Sequence, residues 1–409
     1  MPTEMRPIEL GEWEEFLRAA EGSFSSHVAA EDIEDARADF EIDRSLAVFE
    51  NGHIVGTAAA YSLSMTVPGP EQLAVAGVTM VGVIPTHRRR GHLTSLMRRQ
   101  LDDIRERGEA MAILLASESA IYGRFGYGIA TTQTELQIDP RLGRFAHSPE
   151  MGGQVELVSA DQARKVVPEI FERARRREPG QIGRSGPSWE VFFRDRERWR
   201  YGASARFYVV YRSANEQLDG YCAYRIRENW ENGVPENTLQ IGDLMAANDE
   251  AWAALWQYCL SVDLMTTVTA RLRPTDEPVR WMLADPRRLR TTYLGDFIWG
   301  RILNVPGALE ARRYAAGGTV TFEIADRFMS DCGGRYRMAV DGGRAGVERG
   351  TFEPDLALTI NDLSAAYLGG ARFSTLARAG RVQEYREGAL RRADLLFSSD
   401  RAPWCATGF

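Results

Sequence analysis

Between Val78 and Ile104 the chain changes its hydrophobic period within a few residues, and this change constrains the fold more than any other feature. Leu73 to Ile84 is a long β-prone run; Pro85 breaks it, and Leu93, Leu96, Met97, Leu101 and Ile104 then recur at helical spacing. Gly108 ends that helix, and Met111–Ala116 is a continuous apolar run of strand length. Strand, crossover helix and strand together imply a parallel pair in an α/β sheet. The turn between strand and helix reads Arg88-Arg89-Arg90-Gly91-His92-Leu93. A helix N-terminus offers unpaired amide donors and the positive end of the dipole, which suits the pyrophosphate of an acyl carrier such as coenzyme A. Gly91 lets the backbone approach phosphate oxygens, and Arg88, Arg89 and Arg90 add positive charge.

Upstream, Glu12–Ala20 reads as a short amphipathic helix, and Ser45–Glu50 with His53–Ser62 as a strand pair. Asn51-Gly52 between them is a strong hairpin signal because both residues tolerate positive φ. A length of 409 residues exceeds what one core usually supports. Loop-like text at Ser148-Pro149 and Gly152-Gly153 sets a first boundary, so residues 1–150 form the first expected domain. Residues 151–299 repeat a helix and strand rhythm: Ala160–Arg175, Ala205–Tyr211, Tyr221–Arg227, Leu239–Ala246, Trp252–Ser261. Residues 300–409 form the third, with short strands at Thr319–Ile324, Tyr336–Val340, Ala345–Glu348 and Leu356–Ile360. Helical stripes at Leu363–Leu368 and Leu390–Phe397 complete an α+β pattern.

Composition excludes several function classes. The net charge is −7, which opposes sequence-independent nucleic-acid binding. Lys165 is the only lysine among 50 basic residues, so no Gly-x-x-x-x-Gly-Lys phosphate loop exists. No apolar run reaches membrane-spanning length, and the N-terminus lacks signal-peptide order. Cys222, Cys259, Cys332 and Cys405 form no Cys-x-x-Cys pair, and His87 and His92 sit in no metal-ligand pattern; a reducing cytoplasm and no metal are expected.

The run Arg88–Leu93 resembles the Arg/Gln-x-x-Gly-x-Gly/Ala signature of the GNAT superfamily of acetyl-CoA-dependent N-acyltransferases, with Leu93 in place of the usual small last residue. The stretches Val83-Ile84-Pro85-Thr86-His87-Arg88-Arg89-Arg90-Gly91 and Ala116-Ser117-Glu118-Ser119-Ala120-Ile121-Tyr122-Gly123-Arg124-Phe125-Gly126-Tyr127-Gly128 are more specific. Both are similar to the Eis family of multi-acetylating aminoglycoside N-acetyltransferases. Asn304–Arg312 and Tyr367-Leu368-Gly369-Gly370 resemble that family's third domain, so the resemblance runs over essentially the whole chain. It implies mixed α/β and α+β architecture: tandem GNAT domains, the second degenerate, then a sterol carrier protein-like α+β domain. The residues support the degeneracy, because Ala247-Asn248-Asp249-Glu250 carries two acids and no glycine where a pyrophosphate loop would stand.

The resemblance implies further that Val81, Gly82, Val83, Arg89–Thr94, Ser117 and Glu118 line acetyl-CoA. A splayed strand at Val81–Val83 would aim backbone amides at the acetyl carbonyl, and Gly82 permits the irregular backbone. Tyr122 matches the family's general acid, and the α-carboxylate of Phe409 its general base. The reaction implied is direct attack of a primary amine on the thioester, the acceptor being an aminoglycoside, a polyamine or a lysine-like amine. Ser26 and Gly408 stand where the family's aminoglycoside pocket draws acids, Leu115 replaces a histidine and Met80 an aromatic, so the acceptor is open. Homohexameric assembly is implied by resemblance alone. The competing reading is a non-catalytic protein that binds coenzyme A, or a lipid through its sterol carrier-like domain.

Overall fold

A computed structural model describes residues 3–69, 71–147 and 152–409. The chain opens with β1 (Thr3–Arg6), α1 (Trp13–Ser23), α2 (Ala30–Arg37), β2 (Ser45–Glu50), β3 (His53–Val67) and β4 (Glu71–Val83). There follow α3 (His92–Glu106), β5 (Met111–Leu115), α4 (Ser119–Tyr122) and β6 (Gly128–Ile129). Next come β7 (Thr132–Ile138), β8 (Gln154–Val158), α5 (Ala160–Arg175), α6 (Gly186–Arg194), β9 (Phe207–Arg212) and β10 (Leu218–Arg227). A small hairpin, β11 (Trp230–Glu231) and β12 (Val234–Pro235), precedes β13 (Asn237–Ala246), α7 (Asp249–Ser261), β14 (Met265–Arg273), α8 (Val279–Met282) and β15 (Leu289–Asp296). The last part holds β16 (Ile298–Ile302), α9 (Val305–Ala311), β17 (Gly318–Ala325), β18 (Gly334–Asp341), β19 (Arg344–Arg349), β20 (Leu356–Thr359), α10 (Ile360–Ala366), α11 (Phe373–Arg378), β21 (Gln383–Glu384) and α12 (Ala389–Phe397).

Two compact units result. The first comprises Met1–Ala130, Ile298–Ser399 and Gly408–Phe409; the second comprises Thr131–Phe297 and Asp400–Thr407. The first unit holds a seven-stranded sheet of order β1-β2-β3-β4-β5-β16-β6 and a five-stranded sheet of order β19-β18-β17-β20-β21. The second holds a seven-stranded sheet of order β15-β7-β14-β13-β10-β9-β8. The boundary expected between 150 and 151 lies outside the described residues. Strand pairing puts Thr132–Ile138 in the second sheet and Ile298–Ile302 in the first.

Local sequence explains the elements that build the site. Asn51 and Gly52 take φ of +54° and +80°, so the expected hairpin turn joins β2 to β3. On α3 the side chains Leu96, Met97, Leu101 and Ile104 are buried, the stripe expected from their spacing. Each contributes about 1.5–3 kcal/mol by leaving water. Gly108, at φ +82°, follows the last turn and ends the helix. Fixed against the sheet by that stripe, α3 presents its N-terminus at the C-terminal end of β4.

Candidate active site

Parallel pairing between β4 and β5 runs through Ala76↔Ala112, Gly77↔Ile113 and Val78↔Leu114, then stops. Just beyond it β4 bulges against β3, between the pairs Ala59↔Thr79 and Thr57↔Gly82. Met80 takes φ +51° there, and the Thr57 hydroxyl holds the bulge by donating to Met80 O at 2.8 Å. Gly82 and Val83 therefore keep strand partners on β3, Val81 lies in the bulge, and none of the three pairs with β5. This is the splay expected from Gly82. A Cβ at Gly82 would lie 1.8 Å from Ser23 Oγ, so the glycine also admits the end of α1.

The gap opens into a cavity of about 620 Å³. Val81, Gly82, Val83, Arg88, Arg89, Gly91, His92, Leu93, Thr94, Ser117, Glu118 and Tyr122 all face it. The expected residues Arg90 and Phe409 do not. Sequence reasoning missed Ser23, Phe24 and Ser25 at the end of α1, as well as Ile121 and Arg124, while His87, a flank of the phosphate loop in the sequence, also faces the cavity. Arg124 was legible as a cation within the stretch that carries Tyr122; the α1 end becomes visible only once the sheet forms.

The loop into α3 is shaped by its own contacts. Gly91 caps the helix at φ +90°, with no side chain accepting from the first turn, so the α3 amides remain available. No atom lies within 4 Å of a Cβ built at Gly91, so φ alone requires the glycine. Arg88 donates to Ser23 O at 2.8 Å and Val83 O at 3.3 Å, tying loop to strand. Arg90 pairs with Glu50 at 3.2 Å and donates to Thr86 O. Glu50 also gathers His92 at 3.0 Å and His87 at 3.5 Å. Arg89, at φ +64°, stands exposed at the cavity wall.

Tyr122 ends α4 and is buried, facing the cavity. Burial raises its pKa, a hydrogen bond with Ser117 opposes the rise, and Glu118 adds to it. Tyr127 packs edge-on against Tyr122 at 6.0 Å, but lies wholly in the core and does not face the cavity. The Phe409 ring lies over Gly77 on β4: a Cβ at Gly77 would sit 3.2 Å from Phe409 Cδ2. Neighbouring Gly408 lies against Leu115, the last residue of β5, with 3.6 Å between its Cβ position and Leu115 Cδ1. The terminal pair thus packs at β4 and β5 close to where these strands part. Among the described residues no group of three or more His, Cys, Asp or Glu can hold a metal ion. Among them, too, no helix is long and apolar enough to cross a membrane.

Family comparison agrees with this architecture. Models described as acetyltransferase (GNAT) domains match residues 4–130 and 180–302, and one described as a sterol carrier protein domain matches 305–406. Fold and cleft therefore define an N-acetyltransferase with two GNAT domains followed by a sterol carrier protein-like domain. N-acetyltransferase Eis of Mycobacterium tuberculosis is 33% identical over 401 residues, covering 95% of each chain. A Streptomyces avermitilis protein described as an uncharacterized N-acetyltransferase is 41% identical over the full length of both. The solved structure of Eis1 from Mycobacterium abscessus superposes with a TM-score of 0.88 at 32% identity, covering both chains entirely. The chain belongs to the Eis family of N-acetyltransferases. Membership in a family of enzymes sets aside the non-catalytic reading.

Proposed function

We propose that the cavity binds acetyl-CoA and that the chain transfers its acetyl group to a primary amine. The observation that carries this reading is the coincidence, in one cavity, of a parted strand pair, an uncapped helix N-terminus and a buried tyrosine. The residues present fit the group. The α3 amides beyond Gly91 suit the pyrophosphate, with Arg88, Arg89 and Arg124 as cations on the walls. Amides of Val81–Val83, which have no partner on β5, suit the pantetheine and the thioester carbonyl. Bound there, acetyl-CoA supplies an activated acyl group.

The chain's residues then have three tasks. The β4 bulge amides stabilise the negative charge that develops on the carbonyl oxygen. Tyr122, a phenol protonated at neutral pH and held more firmly so by burial, gives its proton to the departing sulfur. The same burial desolvates a thiolate beside it and raises the thiolate's own proton affinity. The Phe409 α-carboxylate takes the proton from the attacking nitrogen. An ordinary α-carboxyl, with a pKa of about 3.5, is a weak base. It suffices because the nitrogen's protons become far more acidic once the nitrogen bonds to carbon.

The acceptor is read as a polycationic amine entering on the Phe409 side, its attacking nitrogen neutral after losing one proton to solvent. Tyr61 pairs with Gly77 across β3 and β4, and Asp39 and Glu41 lie close enough to Tyr61 to help raise its pKa. These two acids offer charge that Ser26 and Gly408 do not. Thiol release from acetyl-CoA with a panel of polyamines, aminoglycosides and lysine peptides tests the reading. Release with at least one amine is expected, and one residue added after Phe409 should cut it at least tenfold without lowering the melting temperature. No release with any amine would overturn the transfer reaction; full activity in the extended chain would remove only the base.

A further inference from the structure

The turn that follows Tyr122 is held by a side chain from the sterol carrier-like segment. At four residues, α4 is a single turn, too short to persist unaided in water. Its continuation closes on weak backbone bonds: Gly126 N–H to Gly123 O at 3.2 Å, and Tyr127 N–H to Tyr122 O at 3.3 Å. The Asn361 amide, on the first turn of α10, donates to Gly123 O at 2.6 Å and to Tyr127 O at 2.8 Å. Those carbonyls stand at the two ends of the turn, so one planar group with two N–H donors fixes its span. The approach is close: a Cβ at Gly128 would lie 2.0 Å from the Asn361 carbonyl oxygen, so only glycine admits α10. Phe328 adds an edge-on contact to Phe125 at 5.0 Å, which gives burial without the direction that hydrogen bonds impose.

We propose that Asn361 is a positioning residue for acetyl transfer, holding the Gly123–Tyr127 turn so that the Tyr122 hydroxyl stays aimed into the cavity. The proposal rests on the reading of Tyr122 as the acid. It gives the sterol carrier-like segment a part in catalysis separate from that of the chain terminus. A modest slackening of the turn moves the hydroxyl without unfolding the segment, because Tyr122, Phe125 and Tyr127 remain buried.

Asn361→Leu keeps the side chain's shape and removes both donors. Asn361→Asp keeps the shape and sets carboxylate oxygens against two carbonyls. Thr359→Ala serves as control, since it removes a cap of the same helix α10 and leaves the amide in place. In steady-state assays with the full chain, Asn361→Leu should lower kcat at least tenfold, and Asn361→Asp further. KM for acetyl-CoA should stay within twofold, and Thr359→Ala should keep wild-type kcat at temperatures well below its melting point. If Asn361 acts through Tyr122, the double variant Tyr122→Phe/Asn361→Leu is no slower than Tyr122→Phe alone. Losses that multiply in the double variant, that fall on KM, or that Thr359→Ala reproduces would overturn the proposal. Full activity in Asn361→Leu beside an inactive Tyr122→Phe would overturn this proposal alone. Wild-type kcat in Tyr122→Phe would overturn the acid assignment itself.

Discussion

In the first sheet, parallel pairing between β4 and β5 stops at Val78 and Leu114; in the second, pairing between β13 and β14 stops at Ile241 and Ala270. Each central strand bulges directly afterwards, at Met80–Val81 in one and at Gly242 in the other. Three residues past the last pair the two diverge. Val81 and Ser117 face an open cavity, whereas the Arg273 guanidinium bridges the second gap by donating to Leu244 O at 2.9 Å. Glu277 holds that guanidinium at 2.8 Å and accepts from the indoles of Trp252 and Trp256, and Trp404 packs over it. The following helix differs as well: Asn248 caps α7 with its own side chain, while Gly91 leaves α3 uncapped. One backbone geometry therefore makes an open cleft or a packed core, depending on whether side chains satisfy the parted strands.

Substitutions can break this contrast. Tyr122→Phe removes the proposed acid and should lower kcat by about 10²–10⁴-fold, whereas Tyr221→Phe, which removes a buried hydroxyl bonded to Asp243 in the second unit, should leave turnover unchanged. Thiol-release kinetics on both variants check the difference. Arg273→Met leaves the buried Glu277 carboxylate without its cation and should cost about 3–5 kcal/mol in denaturant unfolding. Calorimetry on that variant should still find one coenzyme A per chain; a second site would mean that the plug alone closes the second cleft. Gly82→Ala should raise KM for acetyl-CoA roughly tenfold, about 1.4 kcal/mol, because its methyl meets Ser23 Oγ at 1.8 Å. Gly242→Ala, with nothing nearer than Ala223 O at 3.5 Å, should be silent in the same assay.

The smallest effect concerns alkali. Burial pushes Tyr61 in the first unit and Tyr211 in the second up to about 12. A raised phenol holds its proton more tightly folded than unfolded, so its stabilisation is complete below the unfolded value of about 10 and is lost as pH rises toward 12. Tyr61→Phe and Tyr211→Phe should each move the alkaline unfolding midpoint slightly upward, read by circular dichroism. A shift in one unit only would show that the two cores do not share this sensitivity.

Much of the first cleft was legible because its determinants are local. Pro85, Gly91 and the stripe from Leu93 to Ile104 fix the turn and the helix within one short stretch, and Gly82 announces the irregular strand. What was not legible depends on partners distant in sequence. Nothing in the text Ile298–Ile302 says that it pairs with Met111–Leu115, nor does Thr132–Ile138 reveal that it joins the second sheet. The division of labour among Arg88, Arg89 and Arg90 was likewise hidden, since it depends on Ser23 O and Glu50. Asn361 escaped for the same reason, its acceptors being carbonyls that any residue could supply.

The position of β16 has a consequence for biosynthesis. It lies between β5 and β6, hydrogen-bonded to both, so the first sheet has no continuous path across itself until Ile298–Ile302 exists. At roughly 5–20 residues per second on the ribosome, Thr131–Phe297, the larger part of the second unit, emerges during a delay on the order of ten seconds or more. Through that delay β5 exposes an unpaired edge of Met111-Ala112-Ile113-Leu114-Leu115, apolar and free of charge, which is the kind of segment that pairs with other chains. The unit that holds the candidate site is thus the first to be started and among the last to close, and its yield in a cell depends on how well that edge is shielded in the meantime.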